Sequence, residues 1–122
     1  MLELSTLSKT WILDVDGTIV KHNGYMIDGK DTLLDGVLDF FTGLPKDDKI
    51  ILLTARKGQY LDDLKDFFAE NNIRYDYILT DMPMGERILI NDAKPSGLKT
   101  AYAVNVERDE KFNIKYEIKD EL

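Results

Sequence analysis

Short apolar segments alternate along this chain with segments in which apolar residues recur every three or four positions. The short segments predict strands, over residues 10–15, 49–54, 75–80, 87–91, 100–106 and 112–118. The periodic segments predict helices over residues 31–42 and 59–71. Strands that alternate with helices are typical of a mostly parallel sheet covered by helices. The pattern therefore predicts an α/β protein with a three-layer, Rossmann-like core.

Residues 19–30 do not fit either pattern. They mix β-branched residues with Asn23-Gly24 and Asp28-Gly29, which are dipeptides typical of hairpin turns. We expect a small β-hairpin flap over residues 19–30, above the end of the first strand. The chain of 122 residues shows no internal repeat and no change of composition, so we expect residues 1–122 to form a single domain.

Composition excludes several classes of function. The formal net charge is −7, which argues against a nucleic acid or an anionic membrane surface as the main partner. The chain contains no cysteine, so disulfides and thiolate catalysis are excluded. No apolar run approaches the ~20 residues needed to cross a bilayer, and residues 1–10 lack the apolar core of a signal peptide. We expect a cytoplasmic protein without a membrane partner.

The most informative motif is Asp14-Val15-Asp16-Gly17-Thr18, directly after the first predicted strand. In an extended chain, residues two apart point to the same side, so the carboxylates of Asp14 and Asp16 can enter one cavity. Two such carboxylates can bind Mg2+, which prefers oxygen ligands. They can also divide covalent catalysis, with one attacking the substrate and the other moving a proton.

The residues at the ends of the other predicted strands are also mostly polar. They are Thr54, Ala55 and Arg56 after the second strand, Thr80 and Asp81 at the third, and Asn91, Asp92 and Lys94 after the fourth. The carboxyl ends of parallel strands share one edge of the sheet, and ligands bind there. These strand ends are therefore predicted to form one pocket with Asp14 and Asp16.

With these motifs the chain resembles the haloacid-dehalogenase-like phosphohydrolase superfamily over about residues 11–105. The first motif of that family, Asp-x-Asp-Gly-Thr, matches residues 14–18. Its second motif, a hydroxyl residue at the end of an apolar strand, matches Thr54, and its acidic fourth motif matches Asp92. Its third motif, a cationic residue, has no clean match: Lys94 is the first choice, with Arg87 and Arg56 as alternatives.

The resemblance implies a Mg2+-dependent phosphatase. Asp14 would be the nucleophile that becomes an aspartyl phosphate, and Asp16 would protonate the leaving alcohol and then activate water. Mg2+ would be held by the carboxylates of Asp14 and Asp92 and by the backbone carbonyl of Asp16. Thr54 and Lys94 complete the implied catalytic set. The implied phosphate- or substrate-binding residues are Val15, Gly17, Thr18, Ala55 and Arg56.

The spacing between motifs leaves no room for a cap domain, so the resemblance implies the capless type. Small bacterial members associated with surface-polysaccharide precursors resemble the run that begins at Arg87, which favours a sugar phosphate or a similar small phosphorylated metabolite as substrate. In such enzymes a neighbouring subunit can serve as the lid, so a homo-oligomer is a possible partner.

Two other classes of function stay open at this stage. One is a signalling receiver domain, which also combines Mg2+ with an acidic cluster and in which Asp81 could be the phosphorylated residue. Receiver domains usually carry two adjacent acids, whereas Val15 separates the acids here. The other is a catalytically inactive binding module, suggested by Asn91 at a position that is commonly acidic and by the missing cation.

Overall fold

The computed structural model describes all 122 residues and shows a small α/β protein. It contains five strands, three helices and a 3-10 turn at Gly58–Tyr60. The strands are β1 (Leu2–Leu4), β2 (Thr10–Asp14), β3 (Lys49–Leu53), β4 (Tyr77–Leu79) and β5 (Tyr116–Ile118). The helices are α1 (Gly24–Ile27), α2 (Val37–Thr42) and α3 (Leu61–Glu70).

Three of the strands form a parallel sheet in the order β2-β3-β4. Asp14 pairs in register with Leu53, and Leu53 with Leu79, so the three strands end at the same level. The pairing continues one residue further, because the Val15 amide donates to the Leu53 carbonyl at 3.0 Å and the Thr54 amide to the Leu79 carbonyl at 3.0 Å. This common level places the residues that follow the strands beside one another.

The core lies against this sheet. Ile50 and Leu52 of β3 are fully buried and pack with residues of α2 and α3 in one apolar cluster. The buried helix residues, Val37, Phe41, Leu64 and Phe68, are spaced by four positions, as the sequence periodicity predicts. The helical segment 59–71 is confirmed as the 3-10 turn followed by α3, while the segment 31–42 is helical only from Val37 onward.

A second sheet of two strands joins the ends of the chain. Strand β1 pairs in parallel with β5, with Leu2 in register with Tyr116. The prediction of a strand over residues 112–118 is thus confirmed for its last three residues, whereas β1 was not predicted. Trp11 packs against Tyr116 and Phe40, with ring centroids 5.2 and 5.3 Å apart, and links this sheet to the main one.

The prediction of a β-hairpin flap over residues 19–30 was wrong. Asn23 has a left-handed backbone (φ 55°), and the chain then turns into α1. The amides of Ile27 and Asp28 bond back to the carbonyls of Asn23 and Gly24, at 2.9 and 2.8 Å. Asparagine tolerates left-handed backbone both in hairpin turns and at other turns. The local dipeptide therefore could not distinguish a hairpin from a helical turn.

The predictions of strands over residues 87–91 and 100–106 were also wrong, since neither segment forms a strand. Ile88 and Ile90 are 82% and 90% exposed, and no neighbouring strand accepts or donates ladder hydrogen bonds there. An apolar run is stable as a strand only when it is paired and covered. Separately, none of the helices has the length and apolar character required to span a bilayer.

Candidate active site

Asp14 is the last residue of β2, and its carboxylate has two partners. The Thr18 hydroxyl donates to Oδ2 at 3.1 Å, and Nη1 of Arg87 donates to Oδ1 at 2.8 Å. The Asp14 side chain remains 37% exposed. The carboxylate is therefore held in a fixed orientation and is still accessible to a ligand.

The loop after Asp14 is a tight turn around the Val15 carbonyl. This oxygen accepts hydrogen bonds from the amides of Thr18, Ile19 and Val20, while the Val15 side chain is fully buried. The Gly17 amide donates to the Val20 carbonyl at 2.7 Å. Gly17 has φ +85°, a conformation that favours glycine. The turn brings Asp16 back toward the end of β3.

Asp16 lies against the residues that follow β3. Its carboxylate accepts a hydrogen bond from the hydroxyl of Thr54 at 2.9 Å. Arg56 also donates to it, from Nη2 at 2.8 Å and from Nε at 3.1 Å. Thr54 is fully buried, and the Arg56 side chain is only 3% exposed. The predicted grouping of the first two strand ends is therefore present.

Arg56 bridges Asp16 to a second carboxylate, that of Asp31. Its Nη1 and Nη2 donate to Asp31 at 3.0 and 2.6 Å, and the ring of Tyr25 lies 3.8 Å from its guanidinium carbon. Burial by itself lowers the pKa of Arg56, but the hydrogen bonds and charges of Asp31 and Asp16 outweigh burial and raise that pKa. Burial also raises the pKa of the Tyr25 hydroxyl, although the charge of Arg56 opposes this shift.

These contacts give Arg56 and Thr54 a different role from the predicted one. Every nitrogen of the Arg56 guanidinium donates to a carboxylate, and the Thr54 hydroxyl donates to Asp16. Both side chains fix Asp16 rather than face the open pocket. Ala55, which lies between them in sequence, is half-buried and makes no hydrogen bond to the Asp14 carboxylate.

A pocket of about 230 Å³ opens over the two carboxylates. Its lining residues are Asp14, Asp16, Gly17, Thr18, Val106 and Arg108. Another concavity, of about 290 Å³, lies at Met1, Leu2, Val104, Asn113, Ile114 and Lys115, and contains no acidic residue. We place the candidate site in the first pocket, because it holds both carboxylates of the Asp-x-Asp motif.

The residues predicted after the fourth strand are not brought to this pocket. Asp92 and Lys94 are exposed, and the Asp92 backbone carbonyl accepts a hydrogen bond from Thr100 at 2.7 Å. Because residues 87–91 do not form a strand of the sheet, Asp92 is not placed beside Asp14 at the edge where the strands end. Of the predicted cationic residues, Arg87 contacts Asp14 and Lys94 contacts neither carboxylate.

The predicted Mg2+ ligands therefore do not fit a metal site in this arrangement. Asp92 is absent from the pocket that Asp14 and Asp16 line, and the chain has no cluster of three acidic or histidine side chains that could hold a metal ion. The Asp14 and Asp16 carboxylates are instead paired with Arg87 and Arg56. In this structure, guanidinium groups balance the charges that a metal ion would balance.

Three residues of the site were not predicted as part of it: Asp31, Arg108 and Asp109. Asp31 was predicted to begin a helix, and neither Arg108 nor Asp109 was a candidate for the site. The Asp109 amide donates to the Gly17 carbonyl at 2.9 Å, and its Oδ1 accepts from the His22 amide at 2.7 Å. No local pattern identifies these residues, because their partners are distant in sequence: 25 positions separate Asp31 from Arg56, and 87 separate Asp109 from His22.

The fold of this chain is similar to part of a chain in a solved structure. A chain in the solved structure of the Pnkp1/Rnl/Hen1 complex is 28% identical to this protein, with a TM-score of 0.53. The similarity covers 68% of this chain and 31% of that chain, so this protein matches less than a third of the other's length. No protein-family model matches the chain, and no curated protein matches it.

These findings correct the family expected from the motifs. The assignment to the capless type of the haloacid-dehalogenase-like superfamily was wrong: no family model carries it, and the structural relative is a chain of the Pnkp1/Rnl/Hen1 complex. Short motifs of two to five residues gave the assignment, and such motifs recur in unrelated proteins. The residues themselves, and their chemistry, do not depend on the family name.

Proposed function

We propose that this protein is a phosphomonoesterase that forms an aspartyl phosphate on Asp14. One observation carries the proposal: the Asp14 carboxylate lies in an open pocket, oriented by Thr18 and Arg87, with the Asp16 carboxylate lining the same pocket. A nucleophile fixed next to a second proton-accepting group is the arrangement that covalent catalysis requires. The proposal rests on these side chains and not on membership of a family.

In the first step, one Asp14 oxygen attacks the phosphorus atom of the ester. The bond from phosphorus to the ester oxygen breaks, and the alcohol leaves with a proton supplied by Asp16. In the second step, water attacks the phosphorus of the aspartyl phosphate and gives its proton to Asp16. Inorganic phosphate leaves and the Asp14 carboxylate is restored, so atoms and charge balance over the cycle.

The contacts of Asp16 fix its orientation at the pocket. The Thr54 hydroxyl and the Arg56 guanidinium donate to its two carboxylate oxygens at 2.9 and 2.8 Å. Since Arg56 is itself fixed by Asp31, the Asp16 carboxylate has little freedom to rotate. A fixed orientation lowers the entropic cost of reaching the reactive geometry.

The proposed substrate is a small phosphorylated metabolite such as a sugar phosphate. The pocket of about 230 Å³ has a single apolar lining residue, Val106, which suits a hydrophilic leaving group. The pocket is open, and we propose that a second copy of the chain covers it as a lid. The proposal also includes a cytoplasmic location and a Rossmann-like arrangement with helices on both faces of the sheet. The net charge of −7 disfavours a nucleic acid as substrate.

A Mg2+ requirement stays a prediction from the Asp-x-Asp sequence, because the geometry gives no ligand set for the ion. It is measured by assaying phosphate release with added Mg2+ and with a chelator. None of the steps above is assigned to the ion.

The testing experiment is phosphate release from a panel of sugar phosphates, an aryl phosphate and a 3′-phosphorylated oligonucleotide. We expect turnover of a small ester, loss of turnover in Asp14→Asn, and little turnover of the oligonucleotide. Stable uptake of one phosphate from a small phosphodonor, without turnover of any ester, would instead support a receiver domain. Folded protein with neither activity would contradict both proposals and favour a binding module.

A further inference from the structure

The segment that contains Arg108 is fixed to the Asp-x-Asp loop, although the two are far apart in sequence. The Asp109 amide donates to the Gly17 carbonyl at 2.9 Å, and the Asp109 carboxylate accepts from the His22 amide at 2.7 Å. Asp109 has φ +61°, a left-handed conformation that aspartate adopts more readily than most residues. These two hydrogen bonds hold the turn against both ends of the loop that follows Asp14.

The fixed turn places Arg108 over Gly17. A Cβ atom added at Gly17 would lie 3.1 Å from Cγ of Arg108 and 3.7 Å from its Nε. Such a close approach is possible because glycine has no side chain. Arg108 lines the pocket together with Asp14, Asp16 and Thr18.

Arg108 differs from the other two arginines of the site in its partners. Arg56 is paired with Asp16 and Asp31, and Arg87 with Asp14. Arg108 makes no ion pair and no side-chain hydrogen bond, and it is exposed. Its five N–H donors are therefore free on the side of the pocket.

Charge balance in the site also depends on Arg108. The carboxylates of Asp14, Asp16, Asp31 and Asp109 lie at the site with the guanidinium groups of Arg56, Arg87 and Arg108, which leaves one net negative charge. Without Arg108 the excess would be two negative charges, and a phosphate dianion would be repelled more strongly. The Arg108 guanidinium reduces this repulsion and offers a fork of donors that matches the geometry of phosphate oxygens.

We propose that Arg108 is the residue that binds the phosphate group of the substrate, and that Asp109 is a positioning residue that holds Arg108 over Gly17. This inference rests on the proposed phosphomonoesterase function and deepens it, because it names the group that recognises the phosphate. It also distinguishes Arg108 from Arg56, whose donors are all occupied by carboxylates.

The test measures the binding of inorganic phosphate by titration calorimetry to the full chain and to Arg108→Gln. Losing hydrogen bonds to a charged group is expected to weaken phosphate binding by about tenfold to a hundredfold. Lys111→Gln is the matched control, because it removes the same charge from an exposed residue of the same segment. We expect the control to bind phosphate within about twofold of the wild type.

Kinetics on the best ester of the panel give an independent readout. Arg108→Gln is expected to raise KM about as much as it weakens phosphate binding, and Arg108→Lys is expected to recover part of the loss. Asp109→Ala is expected to raise KM by a smaller factor, and Asp109→Asn, which retains the side-chain acceptor for His22, to stay closer to the wild type.

The outcomes separate this inference from the proposed function. Equal phosphate binding by the wild type and Arg108→Gln would overturn the role of Arg108. A wild type that binds no phosphate would overturn it as well. In either case, turnover of an ester would still support the proposed phosphomonoesterase. Arg108-dependent phosphate binding without turnover of any ester would support the anion site and contradict the phosphomonoesterase.

Discussion

Two apolar runs of this chain, residues 50–53 and 88–90, are alike in composition and differ in their surroundings. In the first run, Ile50 and Leu52 are fully buried between neighbouring strands and helices. In the second, Ile88 and Ile90 are 82% and 90% exposed and belong to no sheet. An apolar run therefore becomes a strand, and delivers the residue that follows it to a site, only where a neighbouring strand pairs with it.

The same difference separates the functional candidates. Thr54 and Arg56 follow the paired run and contact Asp16 directly. Asp92 and Lys94 follow the unpaired run and contact neither carboxylate of the motif. Arg87, which precedes that run, still reaches Asp14 at 2.8 Å because its side chain is long. The main sheet assembles the site, and residues 81–115 contribute to it through a few side chains and the backbone amide of Asp109.

The largest expected effect concerns the carboxylate at the end of β2. Asp14→Asn removes the nucleophile, so we expect a loss of phosphate release of at least about a thousandfold. Asp81→Asn is the matched control: Asp81 follows β4, has φ 60° and lies outside the pocket, and asparagine tolerates that backbone. We expect it to stay within about twofold of the wild type. Loss of phosphate uptake in the control alone would favour the receiver domain.

The comparison of the two apolar runs can be tested by stability. Ile50→Ala leaves a cavity in the core and is expected to lower the free energy of unfolding by about 2–5 kcal/mol. Ile90→Ala removes an exposed side chain and is expected to change it by less than about 0.5 kcal/mol. Urea unfolding measures both. A similar loss of unfolding free energy in both variants would mean that residues 88–90 are packed in solution, and would contradict the difference in burial between the two runs.

The buried ion pairs of Arg56 contrast with the exposed pair Lys21–Asp28. Arg56→Ala leaves Asp16 and Asp31 without a counter-charge, so we expect a loss of about 3–5 kcal/mol in unfolding free energy. Lys21→Ala breaks an exposed pair and is expected to cost less than about 1 kcal/mol. Arg56→Lys keeps the charge without the fork and should fall between them. Equal losses of unfolding free energy in Arg56→Ala and Lys21→Ala would contradict the stabilising role of the ion pairs of Arg56 with Asp16 and Asp31.

The pH dependence of this bridge follows from the raised pKa of Arg56. A cation whose pKa is higher in the folded state contributes stability below its unfolded pKa and loses it as pH rises through the folded pKa. Both values lie above the range in which proteins are usually studied. The difference in stability between wild type and Arg56→Ala should therefore be the same at pH 7 and pH 10, as unfolding at the two pH values would show.

The smallest expected effect is at Tyr25, whose ring lies over Arg56. Tyr25→Ala removes the cation–π contact and is expected to cost about 1 kcal/mol of stability. Tyr25→Phe keeps the aromatic face and should remain within about 0.5 kcal/mol of the wild type. Thermal unfolding compares the two. Equal destabilisation by both changes would assign the effect to the hydroxyl group instead of the ring.

Most of the fold near the site follows from local sequence. The run before Asp14 and the run 50–53 were predicted as strands, and the spacing of Leu64 and Phe68 predicted α3, because both patterns reflect burial on regular faces. The hairpin at 19–30 and the strands at 87–91 and 100–106 were predicted from equally regular patterns and are absent. A single run contains no information about whether a partner edge is available to pair with it.

Local sequence was enough to predict that the carboxylates of Asp14 and Asp16 enter one pocket, because the two residues are two positions apart and directly precede the turn at Gly17. The residues that surround these carboxylates were set by tertiary packing. Arg56 contacts Asp16 across 40 positions and Asp31 across 25, and Asp109 bonds to His22 across 87. Such contacts depend on how distant segments pack, and packing is a property of the folded chain that no local pattern of residues encodes.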